Sequence, residues 1–127
     1  MHGFRVLAAL IAVSLLASCL DQKPQTPVQQ ERSEAIFDYV MAKVPKYVAY
    51  EDAKAMAACI RWAGGKEKRD KVVSIRWFVT ARTSDGNFSA NQLLNSSMTS
   101  CEQEEEGTEG CTCHRLALNN SNVLRAP

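Results

Sequence analysis

Between residues 100 and 115 the chain reads SCEQEEEGTEGCTCHR, with three cysteines, five glutamates and a histidine in sixteen positions. Residues of these types can hold a metal, exchange disulfides or close a loop. A structural zinc site needs thiolates or imidazoles in paired spacing. Cys111, Cys113 and His114 offer soft ligands, but the second pair that such a site requires is missing. A calcium loop is no better supported, because the glutamates do not alternate with the Asp and Asn ligands of known loop motifs. Cys113 with His114 as its base also fails as a nucleophile, since adjacent residues on a strand point to opposite faces. The chain has no nucleophile elbow, phosphate loop or paired carboxylates in a recognisable context, so the sequence does not read as an enzyme and implies no cofactor and no metal.

The fate of the cysteines depends on compartment, and the N-terminus addresses that. After Arg5, an apolar run broken only by Ser14 extends over 12 residues, Val6 to Ala17, against roughly 20 for a membrane-spanning helix. It reads as the apolar region of a cleaved signal peptide, residues 1–18. Leu16-Ala17-Ser18-Cys19 resembles the lipobox of bacterial lipoproteins. The resemblance covers about 20 residues and says nothing about the mature domain. It implies a diacylglycerol on Cys19 and further acylation of its new amino terminus, with palmitate among the expected chains. It also implies anchoring in the cell envelope. Leu20 rather than Asp follows the cysteine, which within that family leans toward the outer membrane facing the periplasm. Burying acyl chain is worth about 0.8 kcal/mol per methylene, so two or three chains make a stable anchor. The rival reading is a eukaryotic secreted, disulfide-rich protein, to which the sequons at Asn87, Asn95 and Asn119 would belong.

With Cys19 assigned to lipid, Cys59, Cys101, Cys111 and Cys113 remain, an even number in an oxidising setting. A Cys111–Cys113 bond would need a strained ring, because same-face neighbours on a strand lie about 6.6 Å apart. Two connectivities stay open: Cys59–Cys113 with Cys101–Cys111, or Cys59–Cys111 with Cys101–Cys113. Either one closes the glutamate loop. The roughly 50-residue closure is worth about 4 kcal/mol and the short one somewhat under 3.

These cysteines need elements to position them. Residues 19–32 are rich in Pro and Gln and read as a tether. Residues 33–118 form the expected domain, and 119–127 a flexible tail. Within the domain, Ile36, Phe37, Val40, Met41 and Val44 share a helical stripe behind Ser33 as N-cap, and Pro45 ends the helix. Ala49, Ala53, Met56, Ala57 and Ile60 recur at helical spacing and predict a second helix that stops at Gly64-Gly65. In KVVSIRWFVTAR the period becomes two, so this is the clearest strand, with Asp85-Gly86 as a hairpin turn. The stretch from 88 to 100 offers either a strand or a helix capped by Ser89 and Gln92, and its poor helix formers favour a strand. CTCHRLAL supplies a last strand with Cys111, Cys113, Arg115 and Ala117 on one face. The expected fold class is therefore α+β, two N-terminal helices followed by a small antiparallel sheet of two to three strands, stapled by disulfides.

Removal of residues 1–18 leaves 109, with Lys+Arg reduced from 15 to 14 and matched by 14 Asp+Glu. That balance gives no basis for nucleic-acid binding. The charges are unevenly placed, however. Lys66, Lys68, Arg69 and Lys71, with Arg76 and Arg82, make a basic middle, whereas Glu102, Glu104, Glu105, Glu106 and Glu109 make an acidic run. Such runs are solvated faces or neighbours that neutralise one another; alternatively they are contact surfaces for a protein partner. The functional expectation is a non-enzymatic, lipid-anchored interaction module: an envelope accessory, an exclusion, inhibitor or immunity protein, or a secretion-system assembly protein. The competing expectation is a small thiol- or metal-handling envelope protein that uses the C-terminal cysteines.

Overall fold

A computed structural model describes residues 23–64, 68–80 and 89–127. Helix α1 spans Pro27–Lys43 and the five-residue α2 spans Pro45–Ala49. Strand β1 (Lys54–Arg61) and strand β2 (Lys71–Val79) follow. Helix α3 (Ala90–Glu104), a 3-10 turn at Thr108–Gly110, β3 (Thr112–Leu118) and β4 (Ser121–Asn122) complete the chain. The strands form one antiparallel sheet in the order β2-β1-β3-β4. On one face, Ile36 and Val40 of α1 pack with Met56, Ala58, Ile60 and Leu116. On the other, α3 packs over Ala55, Ala57 and Cys59. The fold is α+β, as the residue patterns imply, but its elements are differently distributed.

The predicted second helix is the central strand. Every residue from Ala55 to Ile60 is fully buried, because helices cover β1 on both faces. A strand in that position loses its polar alternation, and a short apolar run then carries no period that separates it from a buried helix. Alanine suits the place: its small side chain lets α1 and α3 approach from either side.

The stretch after residue 88 is a helix, which corrects the preference for a strand. Both arms of the predicted capping box form, with Ser89 N–H donating to Gln92 Oε1 at 2.8 Å and Gln92 N–H to Ser89 Oγ at 3.3 Å. Leu93, Leu94, Ser97 and Cys101 make its buried stripe. Caps and packing thus outweigh a weak intrinsic propensity.

Helix α1 begins at Pro27 rather than at Ser33. Thr26 is the N-cap, in a capping box with Gln29. Ser33 lies inside the helix, where its hydroxyl donates to Gln30 C=O at 3.1 Å. The last residues are also part of the fold rather than a tail. β4 pairs with β3, Leu124 and Ala126 are buried, and Arg32 Nη1 donates to Pro127 C=O at 3.1 Å.

The clearest predicted strand is β2, but its alternation is broken. Cys59 pairs with Ser74 and Ile60 with Val72, so Val73 is an extra residue at a bulge. Val72, Ile75 and Trp77 join the core under α1, whereas Val73 turns to the α3 side. A second bulge sits in β3. Met56 faces Ala117 and Ala57 faces Arg115, leaving Leu116 over. Leu116 and Ala117 both enter the α1 core, so Ala117 does not share a face with Cys113 and Arg115. The predicted Asp85-Gly86 turn lies outside the described residues, as does the signal segment with Cys19.

Candidate functional site

The cysteines meet on the α3 face of the sheet. The buried stripe of α3 brings Cys101 down at the helix's C-terminal end, and Cys59 projects from the centre of β1. Gly107 adopts φ 86°, a left-handed conformation that favours glycine, and its N–H donates to Cys111 C=O at 3.0 Å. This return turn lays residues 108–113 back across the helix end. The bonds formed are Cys59–Cys111 and Cys101–Cys113, with Cα–Cα distances of 5.3 and 6.0 Å. The second of the two predicted connectivities is the one present.

Cys59 nevertheless sits directly opposite Cys113 in the sheet. The Cys113 N–H points away from β1 and donates to Glu106 Oε2 at 2.8 Å, which marks a non-hydrogen-bonded pair, the closer of the two cross-strand types. The Sγ atoms of Cys59, Cys101 and Cys113 all lie within 4.8 Å of one another. That spacing would suit a metal, but each sulfur is bonded to another sulfur and carries no thiolate charge for coordination.

The acidic and basic runs meet across this cluster. Arg76 of β2 reaches Glu104 Oε2 at 2.9 Å and also pairs with Glu105. Lys71 Nζ lies 3.4 Å from Glu109 Oε2, and Arg61 Nη1 donates to Glu109 C=O at 3.3 Å. Glu106 caps the edge of β3 as described above. The reading in which the two runs neutralise each other therefore holds for Glu104, Glu105, Glu109 and Lys71. Glu102, Lys68 and Arg69 are exposed and make no ion pair among the described residues; Lys66 lies outside them.

No known protein family, curated protein or solved structure matches this chain.

On the opposite sheet face, a network that sequence patterns did not single out connects α1 to β3. His114 belongs to this network. It is half-buried, its ring packs edge-on to Trp62 at 5.3 Å, and its Nε2 accepts from Trp62 Nε1–H at 2.9 Å and from the Thr112 hydroxyl at 2.7 Å. Indole nitrogen only donates, so Nε2 must be unprotonated. Burial pushes the imidazole below its ordinary 6.5, with Glu106 opposing. Arg32 stacks over the Trp62 ring at 5.2 Å and grips Asp70 through two bonds of 2.8 and 3.0 Å. Asp70 also accepts from Ala63 N–H at 2.7 Å. Arg32 holds its carboxyl below the usual carboxylate range, and the hydrogen bond to Asp70 raises the Arg32 pKa in return. The signal available in the sequence was weak: Arg32, Trp62, Asp70 and His114 are far apart in the chain, and only the sheet register joins them.

Among the described residues, no helix is long and apolar enough to cross a membrane. Buried Lys54 is occupied structurally. Its Nζ donates to Tyr47 C=O at 2.6 Å and to Val48 C=O at 3.0 Å, closing the end of α2, and burial lowers its pKa.

Proposed function

We propose that this chain is a lipid-anchored cell-envelope lipoprotein whose mature domain is a non-enzymatic interaction module. The observation that carries the reading is the cysteine pattern. The four cysteines of the domain are joined in two disulfides, which favours an oxidising compartment. The fifth, Cys19, stands where a lipobox would place the acylated residue. Anchorage through Cys19, with the domain facing the periplasm from the outer membrane, follows from the same resemblance.

For partner contact, the candidates are the acidic stretch Glu102–Glu109 and the basic residues from Lys66 to Lys71. Ion pairing narrows this set. Exposed pairs contribute at most about 1 kcal/mol, so Glu109 and Lys71 remain recruitable, whereas Glu105 is held by Arg76. Glu102, Lys68 and Arg69 supply charge that nothing within the described domain offsets.

Metabolic labelling with a clickable palmitate analogue tests the anchor: label is expected on the wild type and lost in Cys19→Ser. An unlabelled wild type, or label that survives the substitution, would sink the lipoprotein reading. In-cell crosslinking of the lipidated protein tests the surface, with partner capture expected to fall for Glu102→Lys combined with Lys68→Glu and Arg69→Glu. Unchanged capture would move the contact elsewhere.

A further inference from the structure

We propose that the Cys101–Cys113 disulfide is a thiol-exchange site, at which a thiolate carried by an anionic molecule is guided onto Cys113 by Arg115 and Arg125. Burial distinguishes the four sulfur-bearing residues. Cys59 and Cys101 are 0% exposed and Cys111 is 1% exposed, whereas Cys113 is partly exposed. Cys113 lines a surface groove of about 310 Å³ together with Met98, His114, Arg115, Val123 and Arg125. A nucleophile from solvent therefore meets Cys113 first. The sulfur behind it, and so the leaving group, is Cys101.

Charge selects the incoming thiol. None of the groove residues is acidic, His114 is neutral, and Arg115 and Arg125 are exposed guanidiniums. Arg125 donates to the Lys23 carbonyl, a contact that leaves its charge uncompensated. Glu106 is the acidic group at Cys113: its Oε2 accepts from the Cys113 backbone N–H at 2.8 Å. The other disulfide is shut off from solvent, with both of its cysteines buried. The Glu105 carbonyl lies 3.6 Å from Cys59 Sγ and 3.4 Å from Cys111 Sγ, at the C-terminal end of α3, where a helix presents partial negative charge. Cys101 shares that helix end, so access through the groove and the two arginines, rather than the helix end, single out Cys113.

The exchange balances without another oxidant or reductant. A thiolate RS⁻ attacks Cys113 Sγ, an R–S–S–Cys113 bond forms, the Cys101–Cys113 bond breaks, and the electron pair leaves on Cys101, which takes a proton from water. A second RS⁻ attacks the R sulfur of that adduct and releases Cys113 as thiolate together with RSSR. Two thiols are oxidised and one protein disulfide is reduced. Because Cys101 is buried in apolar surroundings, its thiolate is a poor leaving group and returns readily, so the adduct is short-lived unless trapped. Opening releases β3 from α3 at Cys113, while Cys59–Cys111 still fixes the start of β3 to β1.

The test uses the mature protein as purified from membranes, in detergent micelles. It is exposed to reduced glutathione (anionic), 2-mercaptoethanol (neutral) or cysteamine (cationic) at matched thiolate concentration, then quenched with N-ethylmaleimide and mapped by peptide mass spectrometry. The expected product carries glutathione on Cys113 and maleimide on Cys101, with Cys59–Cys111 intact. Glutathione should react about tenfold faster than cysteamine. That ratio should approach one in Arg115→Gln/Arg125→Gln and in 1 M salt, where the Debye length is about 3 Å. An adduct on Cys59 or Cys111, simultaneous opening of both bonds, reaction only under denaturant, or a rate ratio untouched by the arginine substitutions would each overturn the proposal.

Discussion

A histidine whose Nε2 accepts from an indole N–H cannot take a proton there without breaking that contact. That is the situation of His114, which accepts from Trp62 Nε1–H, with desolvation acting in the same direction. Its folded-state pKa lies below the ordinary 6.5 that it regains on unfolding. Below pH 6.5 the unfolded chain therefore binds more protons than the folded one, and stability falls as the solution is acidified toward the folded-state pKa. Asp70 acts in the same sense at lower pH, because its carboxyl is depressed below 3.8 by Arg32 and its stabilisation is lost only as pH falls through that lower value. The two groups are thus separable by window. Urea midpoints measured between pH 7 and pH 5 should decline in the wild type. They should decline less in His114→Gln, whose amide oxygen still accepts from Trp62 but does not titrate in this range. Parallel slopes for the two proteins would show that His114 has no part in the acid sensitivity.

The short helix α3 matters because it delivers Cys101 and ends in the acidic loop. Asn and Ser occupy much of its surface, so its intrinsic propensity is low and its start depends on the Ser89–Gln92 capping box. Removing the cap in Ser89→Ala should cost about 1 kcal/mol, read as a shift in the urea midpoint of the oxidised protein. Ser89→Asn, which keeps a capping oxygen, should restore most of it. Equal losses in both variants would mean that the site tolerates only serine for reasons other than capping.

How much of this was legible in the sequence follows from what each element buries. β2 kept enough alternation to be read because one edge of the sheet leaves it partly exposed, although its bulge at Val73 carried no signal. The α1 stripe from Ile36 to Val44 was legible for the same reason, while its true start was hidden in a segment whose Pro and Gln content resembles a tether. β1 was illegible because helices on both sides erase any polar face, leaving alanines that suit either structure. Of the candidate site, the four cysteines and their two allowed pairings were readable from spacing. The Arg32–Trp62–His114 network was not, since long-range register alone brings those residues together.

At the scale of the whole molecule, the two disulfides interleave, joining the first cysteine of the domain to the third and the second to the fourth. The sheet is thereby clamped to α3 at one end, on the side opposite α1. The separations are 52 and 12 residues, which in the chain-entropy model correspond to about 4 and about 3 kcal/mol respectively. A small domain has a total stability of roughly 5–15 kcal/mol, so losing both bonds removes from about half to all of it. Cys59→Ala/Cys111→Ala should therefore be the more damaging pair substitution, lowering stability by about 1 kcal/mol more than Cys101→Ala/Cys113→Ala. The fully buried setting of Cys59 and Cys111 works in the same direction, since both lie at the centre of the cluster. Full reduction should abolish cooperative unfolding. Far-UV circular dichroism against urea, for the oxidised, reduced and two pair-substituted proteins, decides the order. A reduced protein that still unfolds cooperatively near the oxidised midpoint would show that the apolar core alone holds the fold. The expected order also bears on the exchange site. The bond argued to open, Cys101–Cys113, is the one the fold can lose, and the bond shielded from thiolates is the one it needs.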